Sequence, residues 1–155
     1  MIESHLFDQV ADAVRGLAAD DYTALRLRSH RRGVKAWFGP EKPTREHYEA
    51  QIIPRRHIDG SDGTAIEIGF HAEHPQIELN EAVIGRLLQR EKTWRKIVGP
   101  EAEVGEFLGA DRWRRISETW IEPDLEDPEL AFEVAARLVD YLAAIEPARI
   151  DEAAP

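Results

Sequence analysis

The sequence predicts an α+β fold. It comprises a mostly antiparallel β-sheet of about five strands with three helices, in the order α-β-β-β-β-α-β-α, packed as a two-layer sandwich. Three observations point there. Apolar residues recur with a helical period near both ends of the chain and again after Pro75. Between Tyr22 and Glu73 the period falls to two. The links between these alternating runs are short, which suits an antiparallel meander and leaves no room for parallel crossovers.

Each element has a local reason. Ser4 can cap a first helix whose stripe is Leu6, Phe7, Val10, Val14 and Leu17, and Asp20-Asp21 ends it. The runs 22–28 and 34–38 alternate around a basic turn at 30–33 and read as a hairpin. Gly39-Pro40 and Pro43 make a loop. In the run 47–53, Tyr48, Ala50 and Ile52 face one way and His47, Glu49 and Gln51 the other; Pro54 stops the run. A turn at 59–63 leads into the run 64–73, with Ile66, Ile68 and Phe70 opposed to Glu67, Gly69, His71 and Glu73.

Leu79, Val83, Leu87, Trp94 and Val98 then form the stripe of one helix, ended by Gly99-Pro100. Residues 101–111 read as a loop and 113–121 as a strand. Asp127 and Pro128 suit the start of a last helix with the stripe Val134, Leu138, Leu142 and Ile145, closed by Pro147. The expectation is a single domain over 1–147 and a flexible tail over 148–155.

Composition narrows the function classes. The chain has 155 residues and no Cys, which excludes disulfides, thiolate metal sites and a Cys nucleophile. The net charge is -10, unevenly spread. Residues 1–60 hold ten Lys and Arg against nine Asp and Glu, and residues 61–155 hold ten against twenty-one. That sign argues against a duplex-DNA binder, which needs many phosphate contacts. No run reaches the roughly 18 apolar residues of a membrane span, and Met1–His5 lacks the features of a secretory leader. No membrane association and a cytoplasmic location are expected.

The chemistry-bearing residues fall on the polar face of the sheet, which the alternation leaves wet. One reading is cross-strand charge pairing. The other is a groove in which Glu49, Glu67 or His71 acts as a base. Arg28 would anchor an anion there, and Trp37 would serve as a platform beside His47. The ligand-binding set is then Arg28, Trp37, His47, Glu49, Glu67 and His71. No metal centre is expected. The residues nearest to a ligand set are His71 and Glu73, two apart on one strand, with a third donor available from His47 or Glu49 across the sheet. No motif for a nucleotide, flavin or nicotinamide is present, and no cofactor is expected.

The element order helix, three strands, helix, strand resembles the core of restriction-endonuclease-like proteins. That resemblance implies paired carboxylates and a Glu-x-Lys binding magnesium. Glu49 and Glu67 stand where the carboxylates would, but Gly69 occupies the Lys position. It therefore implies at most a degenerate nucleic-acid-binding domain.

Three functions follow. The leading one is a non-catalytic module that engages a protein partner or forms a homodimer. The second is a small-molecule-binding protein or enzyme using the polar face. The third is the degenerate nuclease-like domain.

Overall fold

The computed structural model describes residues 2–18, 22 and 24–153. Helix α1 (Ile2–Ala18) precedes a hairpin of β1 (Leu25–His30) and β2 (Gly33–Phe38). Then come β3 (Glu46–Pro54), a single turn α2 (Arg56–Asp59) and β4 (Thr64–Ala72). Helices α3 (Ile77–Leu88) and α4 (Glu91–Val98) lead to a second hairpin of β5 (Glu103–Phe107) and β6 (Ala110–Ile121). Helix α5 (Leu130–Ala153) completes the order.

The strands form one sheet in the order β1-β2-β3-β4-β6-β5, antiparallel throughout. The α+β antiparallel class is as the sequence predicts, with six strands instead of about five and five helices instead of three. No helix among the described residues is long and apolar enough to cross a membrane.

One face of the sheet is covered by the helices. Val34, Ala36, Tyr48, Ala50, Ile66, Ile68, Phe70 and Ile116 point into that layer. There they meet Phe7, Val10 and Val14 of α1, Val83 and Leu87 of α3, Trp94 of α4, and Val134, Leu138 and Leu142 of α5. The apolar alternation of each strand is buried on this side.

Several local expectations change. Helix α1 begins at Ile2, ahead of Ser4, and Asp20-Asp21 lies outside the described residues. The helix expected over 79–98 breaks at Gln89-Arg90. The break lets the fully buried Trp94 turn inward and donate its Nε1–H to the Leu87 carbonyl at 2.8 Å. Leu79 of the predicted stripe is exposed, and Asn80 is buried in its place. Its Nδ2 donates to the carbonyls of His74 and Arg112, and its Oδ1 accepts from the His74 N–H.

Helix α5 runs on through Pro147 to Ala153, where a stop is expected. Glu146 anchors this stretch from both sides, accepting from the Tyr48 hydroxyl at 2.8 Å and pairing with Arg149 at 2.7 Å. Residues 101–111, expected as loop, contain β5. Residues 154 and 155 of the expected tail lie outside the described residues.

Gly69 shows how tightly the sheet is drawn together. A Cβ there would stand 2.3 Å from the Ile116 carbonyl oxygen and 2.5 Å from the Ser117 Cα. Both are backbone atoms of a central strand and cannot yield cheaply. Gly69→Ala is expected to lower unfolding stability by about 2 kcal/mol or more. Urea unfolding measures this, and a variant as stable as the parent would contradict the close approach of β4 and β6.

Candidate metal centre

The second face of the sheet is not wet, as the alternation alone suggests. Every residue of β4 after Thr64 is buried. The cover comes from the β5–β6 hairpin. Glu106 pairs with Arg114, but Phe107 pairs with Ala110, so Asp111, Arg112 and Trp113 have no opposite number on β5. Such a bulge bends the ribbon and re-aims its side chains. The tip folds across the sheet, putting the Phe107 ring edge-on to His71 with centroids 4.6 Å apart. Trp113 backs Phe107 at 5.6 Å. Gly109 reaches α2 so closely that a Cβ on it would lie 3.3 Å from the His57 ring. Asn80 donates to the Arg112 carbonyl and the Arg112 guanidinium to the Pro75 carbonyl, which pins the base of the bulge to the start of α3.

Beneath this roof the β3–β4 register assembles four donors. His47 lies directly opposite His71, and Glu49 opposite Gly69. On the other side the Glu73 N–H bonds the Arg45 carbonyl. Each Glu is therefore two residues beyond its His, on strands running in opposite directions. The two carboxylates flank the two imidazoles with local two-fold character. The side chains of His71, His47, Glu49 and Glu73 are 0, 2, 6 and 13 % exposed.

The donor atoms converge. His47 Nε2 is 3.1 Å from Glu49 Oε1 and 3.4 Å from Glu73 Oε2. His71 Nδ1 is 3.2 Å from each of the same two oxygens. All four atoms lie within 4.8 Å of one another.

The far side of each imidazole is already engaged. His47 Nδ1 donates to the Thr44 carbonyl at 2.8 Å, which turns Nε2 toward the cluster. His71 Nε2 donates to Glu67, with Oε2 at 2.7 Å and Oε1 at 3.0 Å. Glu67 is held in turn by Gln51 at 3.0 Å. A carbonyl and a carboxylate behind two histidines are the partners that orient metal-binding imidazoles. His71 Nδ1 is left as a buried polar atom with no hydrogen bond among the described residues.

Charge completes the picture. Burial pushes the carboxyl of Glu49 up, but the contacts with His47 and His71 outweigh that and hold it far below the usual carboxylate range. The same balance brings Glu73 down to about 2. Burial also pushes Glu67 up, and the charge of His71 brings it down. His71 is pulled down by burial but raised well above the ordinary imidazole value, chiefly by the Glu67 charge and then by Glu49. His47 is raised more modestly, by Glu49 and Glu73 against burial. In the metal-free cluster the carboxylates are thus biased toward their charged form and the imidazoles toward their protonated form.

The predicted site residues divide accordingly. His47, Glu49, His71 and Glu73 come together, and Glu67 stands behind His71 as its support. Arg28 does not join them; its guanidinium lies over the Trp37 ring at 5.7 Å, near the β1 edge. Trp37 is no platform, because it is buried and its Nε1–H bonds the Pro40 carbonyl at 2.8 Å. Thr44 and Phe107 were not legible as site residues. A usable signal was the repeated His-x-Glu, once in each of two neighbouring strands. Comparison with family models, curated proteins and solved structures finds no match to this chain.

The linkage sign can be worked out for the metal-free protein. Raised imidazoles contribute stability that is lost as pH rises through their folded values. Depressed carboxylates contribute stability that is lost as pH falls through theirs. The contribution is complete between the unfolded values of 4.5 and 6.5. With chelator present, the stability difference between the parent and Glu49→Gln/Glu73→Gln should be largest in that window and shrink on both sides. A difference independent of pH in urea unfolding would show that these pairs contribute nothing.

Proposed function

We propose that this protein binds one divalent first-row metal ion through His47 Nε2, His71 Nδ1, Glu49 Oε1 and Glu73 Oε2. This favours the second of the three functions read from the sequence, a ligand site on the polar face. The observation that carries the proposal is the convergence of four buried donors, with both imidazoles oriented from behind and His71 Nδ1 held 3.2 Å from both carboxylates without a hydrogen bond.

The spacing supports it. A tetrahedron around an ion with bonds of about 2.0–2.1 Å has edges of roughly 3.3–3.4 Å. The four nitrogen–oxygen separations of 3.1, 3.2, 3.2 and 3.4 Å match four of its six edges, and the whole donor set, within 4.8 Å, closes onto an ion by small side-chain shifts. Imidazole and carboxylate together, without thiolate, suit zinc, iron(II), cobalt, nickel or manganese. They suit calcium and magnesium poorly, since these hard ions take oxygen donors. A divalent ion also carries the charge of the two imidazole protons it displaces, so the surrounding carboxylates keep their balance. Affinity falls as pH falls, because the ion competes with those protons.

Metal-free protein titrated with zinc or cobalt should take up one equivalent and gain melting temperature, and chelator should reverse the gain. Glu49→Gln/Glu73→Gln should abolish uptake. Glu67→Gln should keep the one-to-one stoichiometry and weaken affinity by about 10–100-fold, as loss of a supporting carboxylate does. Parent protein that takes up none of zinc, cobalt, iron(II), nickel or manganese would overturn the proposal.

A further inference from the structure

We infer that two copies of this chain associate end to end about a two-fold axis, the basic turn of each set against the acidic loop of the other. The association is separate from the metal centre and gives a form to the homodimer expected from the sequence.

The register brings three connections to one end of the sheet. The β1–β2 turn at Arg31-Arg32 reaches that end, because Gly33 pairs with Gln51 and the Ile52 N–H bonds the Arg32 carbonyl. The β3–β4 connection comes next, since Pro54 pairs with Thr64. The exit of β6 follows. Ala65 pairs with Ile121, and the Glu122 N–H bonds the Thr64 carbonyl. In the strand order β1-β2-β3-β4-β6 these three stand side by side. With strands about 4.8 Å apart, the first and last are roughly 15–20 Å from each other.

Their charges run from positive to negative along this row. Residues 22–40 hold five Lys and Arg and no Asp or Glu. Arg26, Arg28, Arg31 and Arg32 among them are exposed. Asp8 of α1 is the acid that bonds this hairpin, through Ser29 on the helix side. The middle connection is mixed, with Arg55 paired to Asp59 at 3.0 Å and 3.6 Å from Glu122. Residues 122–133 hold six Asp and Glu and no Lys or Arg. Asp124 and Asp127 accept the backbone N–H groups of Glu126 and Glu129, which fixes the shape of this loop. Glu126, Glu129 and Glu133 point to the exposed side.

A row that is basic at one side, mixed in the middle and acidic at the other is its own complement after a half-turn about the middle. A two-fold contact of that kind is self-complementary and closes at two copies. Charge orients such a contact more than it holds it. Apolar area is available at the same end, where Ile121 closes β6 and Phe132 opens α5, both exposed. Nucleic acid fits less well, because it would engage the basic turn alone and be repelled by the acidic loop nearby.

The test uses the full chain, with mass read by light scattering on a sizing column. Salt is held at about 0.15 M, where a Debye length of about 8 Å screens the net charge of the copies but not contacts across an interface. The parent should run as a dimer. Arg31→Glu/Arg32→Glu and, separately, Glu126→Lys/Glu129→Lys should each weaken dimerisation by about tenfold or more, since like charges then face each other. Mixed in equal amounts, the two variants should restore the dimer mass, because every reversed patch then meets a reversed partner. Recovery on mixing shows that both variants are folded. A monomeric parent, reversals that leave the dimer intact, or a mixture that stays monomeric would overturn the inference. So would a monomeric parent that binds a single-stranded RNA oligonucleotide through Arg31 and Arg32, which would assign the basic turn to nucleic acid.

Discussion

The pairing of β3 with β4 is the constraint on which the rest depends. Side chains alternate across a sheet, so a slip of β3 by one residue would send His47 into the helical layer, bring Tyr48 out under the hairpin and part the two imidazoles. The register is held at both ends and from the helix side. At one end the chain turns through α2, with Pro54 opposite Thr64. At the other, Glu73 bonds Arg45, and His74 meets Glu46 at 2.8 Å. Between them Tyr48 and Phe70 pack edge to face at 5.4 Å, and Tyr48 is tied to Glu146 of α5. The core thus sets the positions of the polar groups on the opposite face.

Burying three carboxylates and two imidazoles together carries a large desolvation penalty, several kcal/mol per ion before pairing. A comparison within the molecule shows what full compensation looks like. On the helix side, Glu118 is buried but accepts bonds from Trp120, Arg137 and Tyr141, at 2.8 Å each. Nothing there is left without a partner, and the cluster reads as a structural node. The cluster on the other face differs in one respect: His71 Nδ1 sits between two carboxylate oxygens without bonding either. An ion-paired but unbonded buried nitrogen invites an explanation, and the ion proposed above is one.

Much of this was legible in the residues, and the remainder was hidden for physical reasons. The alternation of β3 and β4 placed His47, Glu49, Glu67 and His71 on one face, and the two-residue period joined Glu73 to His71. The union of the two His-x-Glu pairs depends on cross-strand register, which no local pattern states. The roof was missed because residues 101–113 are short, acidic and Gly-containing, with no clear period. Trp37 was misjudged for a related reason, since alternation assigns a face but not what covers it. The break at Gln89-Arg90 and the burial of Asn80 reflect tertiary demands, those of Trp94 and of the bulge, which overrode a regular helical stripe.

The three unpaired residues of the β6 bulge separate two properties that usually vary together. The donors lie on β3 and β4, so the equilibrium strength of an ion's attachment is written there. The tip that Asp111, Arg112 and Trp113 bend over the sheet supplies no donor, yet it stands between His71 and solvent. For the ion proposed above, the route in and out would therefore be set by a different hairpin. Residence time can change through substitutions in that ribbon while affinity, governed by β3 and β4, stays where it is.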